Sequence, residues 1–398
     1  MSAQSHGNGA YHMPIELISA NHAAAKAATL AGRANRNARG FGGGVYPITP
    51  QTECIELLCR QEFDKGKIVR VESEHSAMAV CIGVSLSGAR AFTASASNGL
   101  AYMAENVVAA SYYRLPILMM AVNRTLGPPW NIWVDHGDTL MLRDTGWMQI
   151  YCENNQEVLD SVLLGYRLAE DPRVLLPVMI CQDAFVLSHT MMLTDIPEQE
   201  QVDAFLPELD LPHRVAHQAV TLGGLDFPHE TEVHRIQHHK ATKNVPEVYR
   251  ECQDAFEKAF GRRPPDRVVP YRMDDAEVVL VSMGTTTSTA RKVVDAAREK
   301  GLAVGSLGVR MLRPFPEDLL RTWLQGKEKI GVLDRDLSPG VGGILWSELR
   351  GVVGGDRTVQ NYVLGMGGGD VLPEHLQKVL DDLLARNCAG EPELMEVA

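Results

Sequence analysis

Two carboxylates and a histidine stand together in Val71-Glu72-Ser73-Glu74-His75-Ser76, between a strand-like run at 68–71 and a small-residue helix pattern from 76 to 87. Glu72 and Glu74 therefore lie at the carboxyl end of a strand, the edge where open α/β sheets bind ligands. A carboxyl group there can hold or move a proton; acids at this spacing can equally cap the following helix. Arg124 follows directly on the buried-strand pattern Leu115 to Val122, which suits either an anion binder or a surface arginine. His234, His238 and His239 have the spacing of metal ligands on a helical turn, but their polar, proline-bearing surroundings read as a solvated loop, and no metal is assigned. The glycine clusters Gly340-Val-Gly-Gly343 and Gly365-Met-Gly-Gly-Gly-Asp370 read as turns, since neither has the G-x-G-x-x-G form between strand and helix of the N-terminal unit and no Walker A lysine appears.

The elements that must position these residues alternate in type. A helix is expected from Ala20 to Ala34, capped by Ser19 or Asn21, and another after Gln51-Thr52-Glu53. Strands are expected at 68–71, 91–94, 115–122 and 175–181, with helices at 76–87 and 100–113 between them. Short apolar strands alternating with helices imply a doubly wound parallel sheet, an α/β fold, to about residue 190. Residues 188–244 read as irregular and histidine-rich, the 213–240 stretch above all. An amphipathic helix through Val248, Cys252, Phe256 and Ala259 then leads to a Gly261–Asp266 linker. A smaller α/β unit follows from about Asp275, with strands at 277–282, 302–307 and 330–333.

Composition bounds the rest. Of 398 residues, 45% are hydrophobic and 22% charged, a globular profile, and 38 basic against 50 acidic side chains give a net charge of −12. Such a field repels phosphate backbones and anionic lipid, so nucleic acid is not an expected partner. The seven cysteines, at 54, 59, 81, 152, 181, 252 and 388, include no C-x-x-C, which argues against an iron–sulfur cluster or zinc ribbon in this chain. Scattered thiols and a polar N-terminus without an apolar h-region point to the cytoplasm. No apolar run is long enough to span a bilayer.

Taken together, Tyr46-Pro-Ile-Thr-Pro50, the 72–76 block, Phe92-Thr-Ala-Ser-Ala-Ser-Asn-Gly99, Asn123-Arg124 and Arg143-Asp-Thr-Gly-Trp147 resemble the α subunit of thiamine-diphosphate-dependent 2-oxoacid:ferredoxin oxidoreductases, the pyruvate:ferredoxin oxidoreductase family. Ser282-Met-Gly-Thr285 and Leu312-Arg-Pro-Phe-Pro316 resemble its transketolase C-terminal-like domain. The resemblance implies a pyrimidine-binding thiamine-diphosphate domain at 15–190, an irregular excursion and linker helix at 191–270, and a transketolase C-terminal-like domain at 271–390. It puts the glutamate that bonds the cofactor's aminopyrimidine at Glu74, with Glu72 as fallback. The substrate-contacting pair falls on Thr49 and Arg124, and Asn98 is a candidate cofactor contact, though a plain loop asparagine fits as well.

The chain has no Gly-Asp-Gly segment of the kind that holds Mg²⁺ and diphosphate in thiamine enzymes. The resemblance therefore implies a heteromer: a β subunit carrying the diphosphate and Mg²⁺ site, a ferredoxin-like iron–sulfur subunit, a γ subunit, and a flavin or NAD subunit where NAD is the acceptor. Thiamine diphosphate is then shared between subunits, the iron–sulfur clusters lie in the partners, and coenzyme A is the co-substrate. The expected reaction is oxidative decarboxylation of a 2-oxo acid to an acyl-CoA and CO₂. The alternatives are a noncatalytic assembly subunit and a subunit of an NAD-reducing phenylglyoxylate dehydrogenase. Trp130 and Trp133 in the loop after Arg124 would line a pocket for a branched-chain or aryl substrate, or pack as a lid; pyruvate is the first expectation.

Overall fold

The computed structural model describes residues 14–215, 223–354 and 357–396. Strand β1 (Ile15–Ile18) leads into α1 (Ala20–Arg33), where Ser19 is the cap and its hydroxyl accepts from the His22 N–H. Seven alanines of α1 are fully or nearly fully buried. Strand β2 (Phe41–Val45) and helix α2 (Thr52–Cys59) flank the Tyr46–Pro50 loop; β3 (Ile68–Arg70) leads into α3 (Glu74–Leu86), and β4 (Arg90–Ser95) follows.

The glycines of β2 set where α3 begins. A Cβ on Gly43 would sit 1.9 Å from the Phe92 carbonyl oxygen, and one on Gly44 would sit 2.4 Å from that of Ala77. The bare Gly44 lets the first turn of α3 approach β2 this closely, as the bare Gly43 does for β4. Thr93 on β4 locks the arrangement by donating to the Gly44 carbonyl at 2.8 Å.

The expected helix at 100–113 is two helices, α4 (Ser97–Tyr102) and α5 (Ala104–Tyr112), broken at Met103. Strand β5 (Ile117–Asn123) is wholly buried; the short α6 (Gly137–Leu140), β6 (Met148–Tyr151) and α7 (Asn155–Glu170) follow, and β7 (Val178–Asp183) closes the series. Strand β8 (Met192–Asp195) pairs antiparallel with β1, and α8 (Gln199–Phe205) packs against α1.

The stretch expected to be irregular carries instead α9 (Pro228–Phe260), a helix of 33 residues that starts well before the amphipathic part. His234, His238 and His239 lie on this helix and not in a loop; His217 lies outside the described residues. His238 is buried, bonds the Ser111 hydroxyl at 2.7 Å and packs against the Tyr112 ring, tilted at 39° to it. Burial and the nearby Arg114, Arg235 and His239 charges push its pKa down to about 4, so it is a neutral packing residue at pH 7.

The chain continues through β9 (Val268–Tyr271), β10 (Val278–Ser282), α10 (Thr286–Glu299), β11 (Val304–Val309), β12 (Met311–Arg313), α11 (Glu317–Leu324), β13 (Lys329–Asp334), α12 (Ile344–Val353), β14 (Thr358–Leu364), α13 (Pro373–Ala385) and β15 (Glu393–Met395), and all of these strands but β12 form a second sheet. Its order is β15-β14-β13-β10-β11-β9, with β9 alone antiparallel. Strand β12 leaves this series and joins the first sheet, whose order is β12-β6-β7-β5-β4-β2-β3, parallel except at β12. Buried Arg310 fixes that crossing by bonding Glu157 of α7 at 3.0 Å. One core cluster continues from the first sheet to the second, through Met119, Tyr151, Val281 and Val332. No described helix is long and apolar enough to cross a membrane.

Candidate active site

Glu74 is the first residue of α3. Ser73 caps the helix, its hydroxyl accepting from the Ser76 N–H at 3.2 Å. The bland reading of the acidic pair belongs to Glu72, which is exposed and accepts from the Ser76 hydroxyl at 2.5 Å. Glu74 is instead 7% exposed; its carboxylate has no hydrogen-bond partner among the described residues, and its oxygens keep contact with the surface at this edge. A Cβ on Gly99 would lie 2.6 Å from its Oε1 and 2.5 Å from the Ser95 Oγ, so the glycine leaves room for both groups. The Ser95 hydroxyl is itself buried without a partner. The orphaned hydroxyl, beside a carboxylate that no described residue bonds, leaves a place for an external polar group.

The β4–α4 turn beside them is strained. Ser97 has φ 52°, a conformation rare for a residue with a side chain. Asp138 holds it there. Its buried carboxylate accepts from the main-chain N–H of Ser97 and of Arg124, both at 2.9 Å, from Asn123 at 2.9 Å and from the Thr139 N–H at 2.8 Å. Burial pushes its pKa up to about 6 against these four donors. One side chain thus ties the ends of β4 and β5 together, and sequence reasoning missed it.

Arg124 and Thr49 meet at the mouth of this edge. The Arg124 Nη1 donates to the Thr49 carbonyl at 2.8 Å and its Nε to the Asn131 carbonyl at 2.8 Å. The Thr49 side chain is exposed and Arg124 is half-buried. A shallow cavity of about 340 Å³ is lined by Arg124, Trp130, Asn131, Ile132 and Trp133. Asn98 also holds the next loop: its amide donates to the Gly127 carbonyl at 3.1 Å and accepts from the Gly127 N–H at 3.0 Å, clamping the 125–133 loop.

Below the loop, His136 bonds the Asp183 carboxylate at 2.8 Å, and Asp183 also accepts from the Thr285 hydroxyl and N–H of the second sheet's unit. Burial lowers the His136 pKa, but the charge of Asp183 and their hydrogen bond outweigh it and raise the net value. Asp183 is held at about 2, its own burial overcome by His136 and Arg335. The sign follows from linkage. The raised His136 stabilises the fold fully below about pH 6.5 and less as pH rises through its folded value; the depressed Asp183 stabilises above about pH 4 and less as pH falls toward 2. His136→Gln is expected to flatten the alkaline arm of the Tm–pH curve between pH 6.5 and 9; an arm of unchanged slope would assign that loss to other groups.

The seven cysteines are free thiols, and no cluster of three or more His, Cys, Asp or Glu among the described residues is arranged to hold a metal.

Residues 43–254 match the family described as pyruvate flavodoxin/ferredoxin oxidoreductase, thiamine diphosphate-binding, and residues 276–376 match pyruvate:ferredoxin oxidoreductase core domain II. The chain is 43% identical over 372 residues to pyruvate synthase subunit PorA of Methanothermobacter thermautotrophicus, covering 92% of this chain and 95% of that one. It is 42% identical to PorA of Thermotoga maritima, covering 87% and 91%. It is 40% identical to ketoisovalerate oxidoreductase subunit VorA of Pyrococcus furiosus, covering 94% of each. Among solved structures, a 2-oxoglutarate:ferredoxin oxidoreductase from Magnetococcus marinus aligns over 93% of this chain with TM-score 0.70 and 18% identity; this chain spans 65% of that one. A split-gene transketolase aligns over 93% of this chain and 99% of its own, with TM-score 0.53 and 12% identity. At these identities the two structures speak for the fold alone.

Proposed function

The chain belongs to the pyruvate flavodoxin/ferredoxin oxidoreductase family, and from that premise we propose that Glu74, Thr49 and Arg124 form its half of a thiamine-diphosphate site taking a 2-oxo acid. The protein is the α-type subunit of a heteromeric 2-oxoacid oxidoreductase. The overall reaction converts a 2-oxo carboxylate and a CoA thiol to an acyl-CoA thioester, CO₂ and a proton, and releases two electrons.

The observation that carries the site reading is the Glu74 carboxylate, on a 7% exposed residue and without a partner among the described residues, beside the buried, unpartnered Ser95 hydroxyl in the space left by Gly99. These groups fit the nitrogen edge of an aminopyrimidine, with Glu74 sharing a proton with the ring. When bound, thiamine diphosphate supplies the nucleophilic carbon and the electron sink that decarboxylation requires. The Glu74 carboxylate, facing that space, is placed to share a proton with the ring it meets. Arg124, whose Nε and Nη1 are already fixed on main-chain carbonyls, offers its remaining amino group to the substrate carboxylate. The Thr49 hydroxyl serves the substrate's oxo group. Asn98 acts through the loop it clamps.

Mg²⁺ and the diphosphate are assigned to a β subunit, because this chain has no Gly-Asp-Gly segment. The electrons are assigned to iron–sulfur clusters of further subunits, a ferredoxin-like and a γ subunit, with a flavin or NAD subunit where NAD is the acceptor. Pyruvate is the first substrate, and 2-oxoisovalerate the second, in line with the names of the PorA and VorA relatives.

The test is co-expression with the neighbouring subunits, followed by CoA-dependent viologen reduction with pyruvate, 2-oxoisovalerate, 2-oxoglutarate and phenylglyoxylate. Reduction is expected with pyruvate or 2-oxoisovalerate. A complex that binds thiamine diphosphate yet reduces the dye with none of the four would sink the proposal.

A further inference from the structure

Asn131 sits at a junction that the roles above leave unexplained. Its main-chain carbonyl accepts from the Arg124 Nε at 2.8 Å. Its side-chain oxygen accepts from the Trp133 N–H at 2.6 Å, and its side-chain nitrogen donates to the Gly367 carbonyl at 2.8 Å. Gly367 belongs to the second sheet's unit, in a short 3₁₀ turn at Met366–Gly368 that follows β14. So one residue of the loop over the substrate edge reaches across to the other sheet while holding the arginine with its backbone.

The turn it reaches is built to present that carbonyl. Gly365, Gly367 and Gly368 all have positive φ, at 67°, 64° and 93°. A Cβ on Gly368 would lie 2.2 Å from the Trp133 Cβ, so the turn and the loop are in direct contact. Arg335 fixes the turn from below by donating to the Gly365 and Gly369 carbonyls, both at 3.0 Å, with its Nη1 3.6 Å from Asp183. Asp183 in turn pairs with His136, five residues along the chain from Asn131. The loop is thereby fastened to the second sheet's unit near both ends of the 131–136 stretch.

We propose that Asn131 is a positioning residue for substrate binding: by hooking the loop to the glycine turn of the second sheet, it holds the Arg124 guanidinium in the orientation that receives the 2-oxo acid's carboxylate. The proposal rests on the reading of Arg124 as the carboxylate clamp. Without the hook, the loop keeps its Asn98–Gly127 anchor and the two bonds from Thr125 to the Trp133 carbonyl, but the Asn131 carbonyl that receives the Arg124 Nε loses its tie to the second sheet. Substrate affinity should suffer, while the groups around Glu74 are untouched.

The test is a double-mutant cycle in the assembled complex. Asn131→Ala is expected to raise KM for the 2-oxo acid about 10-fold, the scale of one lost hydrogen bond transmitted to the clamp, with kcat changed about 2-fold or less and KM for CoA unchanged. Asn131→Asp, which keeps the acceptor for Trp133 but sets a carboxylate against the Gly367 carbonyl, should match the alanine variant. Calorimetric binding of an unreactive 2-oxo acid analogue should weaken by the same factor. In an Arg124→Met background the effect of Asn131→Ala should vanish, because the two residues act as a unit. A KM unchanged in Asn131→Ala, or raised by the same factor in both backgrounds, overturns the proposal. A KM unchanged in Arg124→Met alone overturns the clamp reading, and the hook with it.

Discussion

Glu74→Gln in the assembled complex is expected to lower kcat for 2-oxo-acid- and CoA-dependent dye reduction by about 10²- to 10⁴-fold, the range spanned by loss of a positioned acid–base group. The amide keeps the volume and the start of α3, since the helix is capped by Ser73 and not by Glu74. Stability should therefore change little while proton sharing is lost. Gly99→Ala provides an independent arm: the added methyl would come within 2.6 Å of Oε1 and must displace the carboxylate without removing its charge. It should lower kcat in the same direction, and it should weaken the binding of thiamine diphosphate to the apo complex. Full activity in Glu74→Gln would remove the residue from the reaction and leave the unpartnered carboxylate unexplained.

Burial is what separates Glu74 from Glu72, and the sequence shows burial only weakly. Both acids follow the same strand, and two residues of separation on an extended segment give them the same face. Helix α3 breaks that equivalence, because Ser73 takes the cap and turns Glu74 inward onto Gly99 while Glu72 stays outside with Ser76. Periodicity placed Arg124 at the carboxyl end of a strand, but its pairing with Thr49 was implied by the family resemblance alone.

Other features had no local signal. Asp138 matters because N–H groups from β4 and β5 converge on it, and nothing near His136-Gly-Asp138 in the sequence announces that convergence. Helix α9 was hidden for a related reason. Apart from Glu230 and His238, its residues from Pro228 to Lys240 are exposed, so they carry no apolar stripe to reveal a 3.6-residue period. Buried positions begin to recur only from Ala241, Val245 and Val248. Strand β12 pairs with β6, roughly 160 residues earlier, a choice set by the Arg310–Glu157 contact and not by its own three residues.

Arg124→Met is expected to raise KM for the 2-oxo acid about 10- to 100-fold, because a charge-assisted hydrogen bond to a carboxylate contributes about 1.5–3 kcal/mol and each 1.4 kcal/mol is a factor of ten. The effect should fall on KM more than on kcat, since the carboxylate is bound before it is lost as CO₂ and the arginine holds the ground state. Two features of the site make the split readable. Asp138 bonds the main-chain N–H of Arg124, so the β5 end stays in place when the side chain changes. The released carbonyls of Thr49 and Asn131 lie beside exposed residues where water can reach them, which limits the structural cost. Arg124→Lys then separates charge from shape: a lysine restores part of the attraction but cannot bond both carbonyls and the substrate from one rigid plane, so its KM should fall between those of the wild type and the methionine variant. Equal KM values for all three enzymes would place the carboxylate elsewhere on the sheet edge.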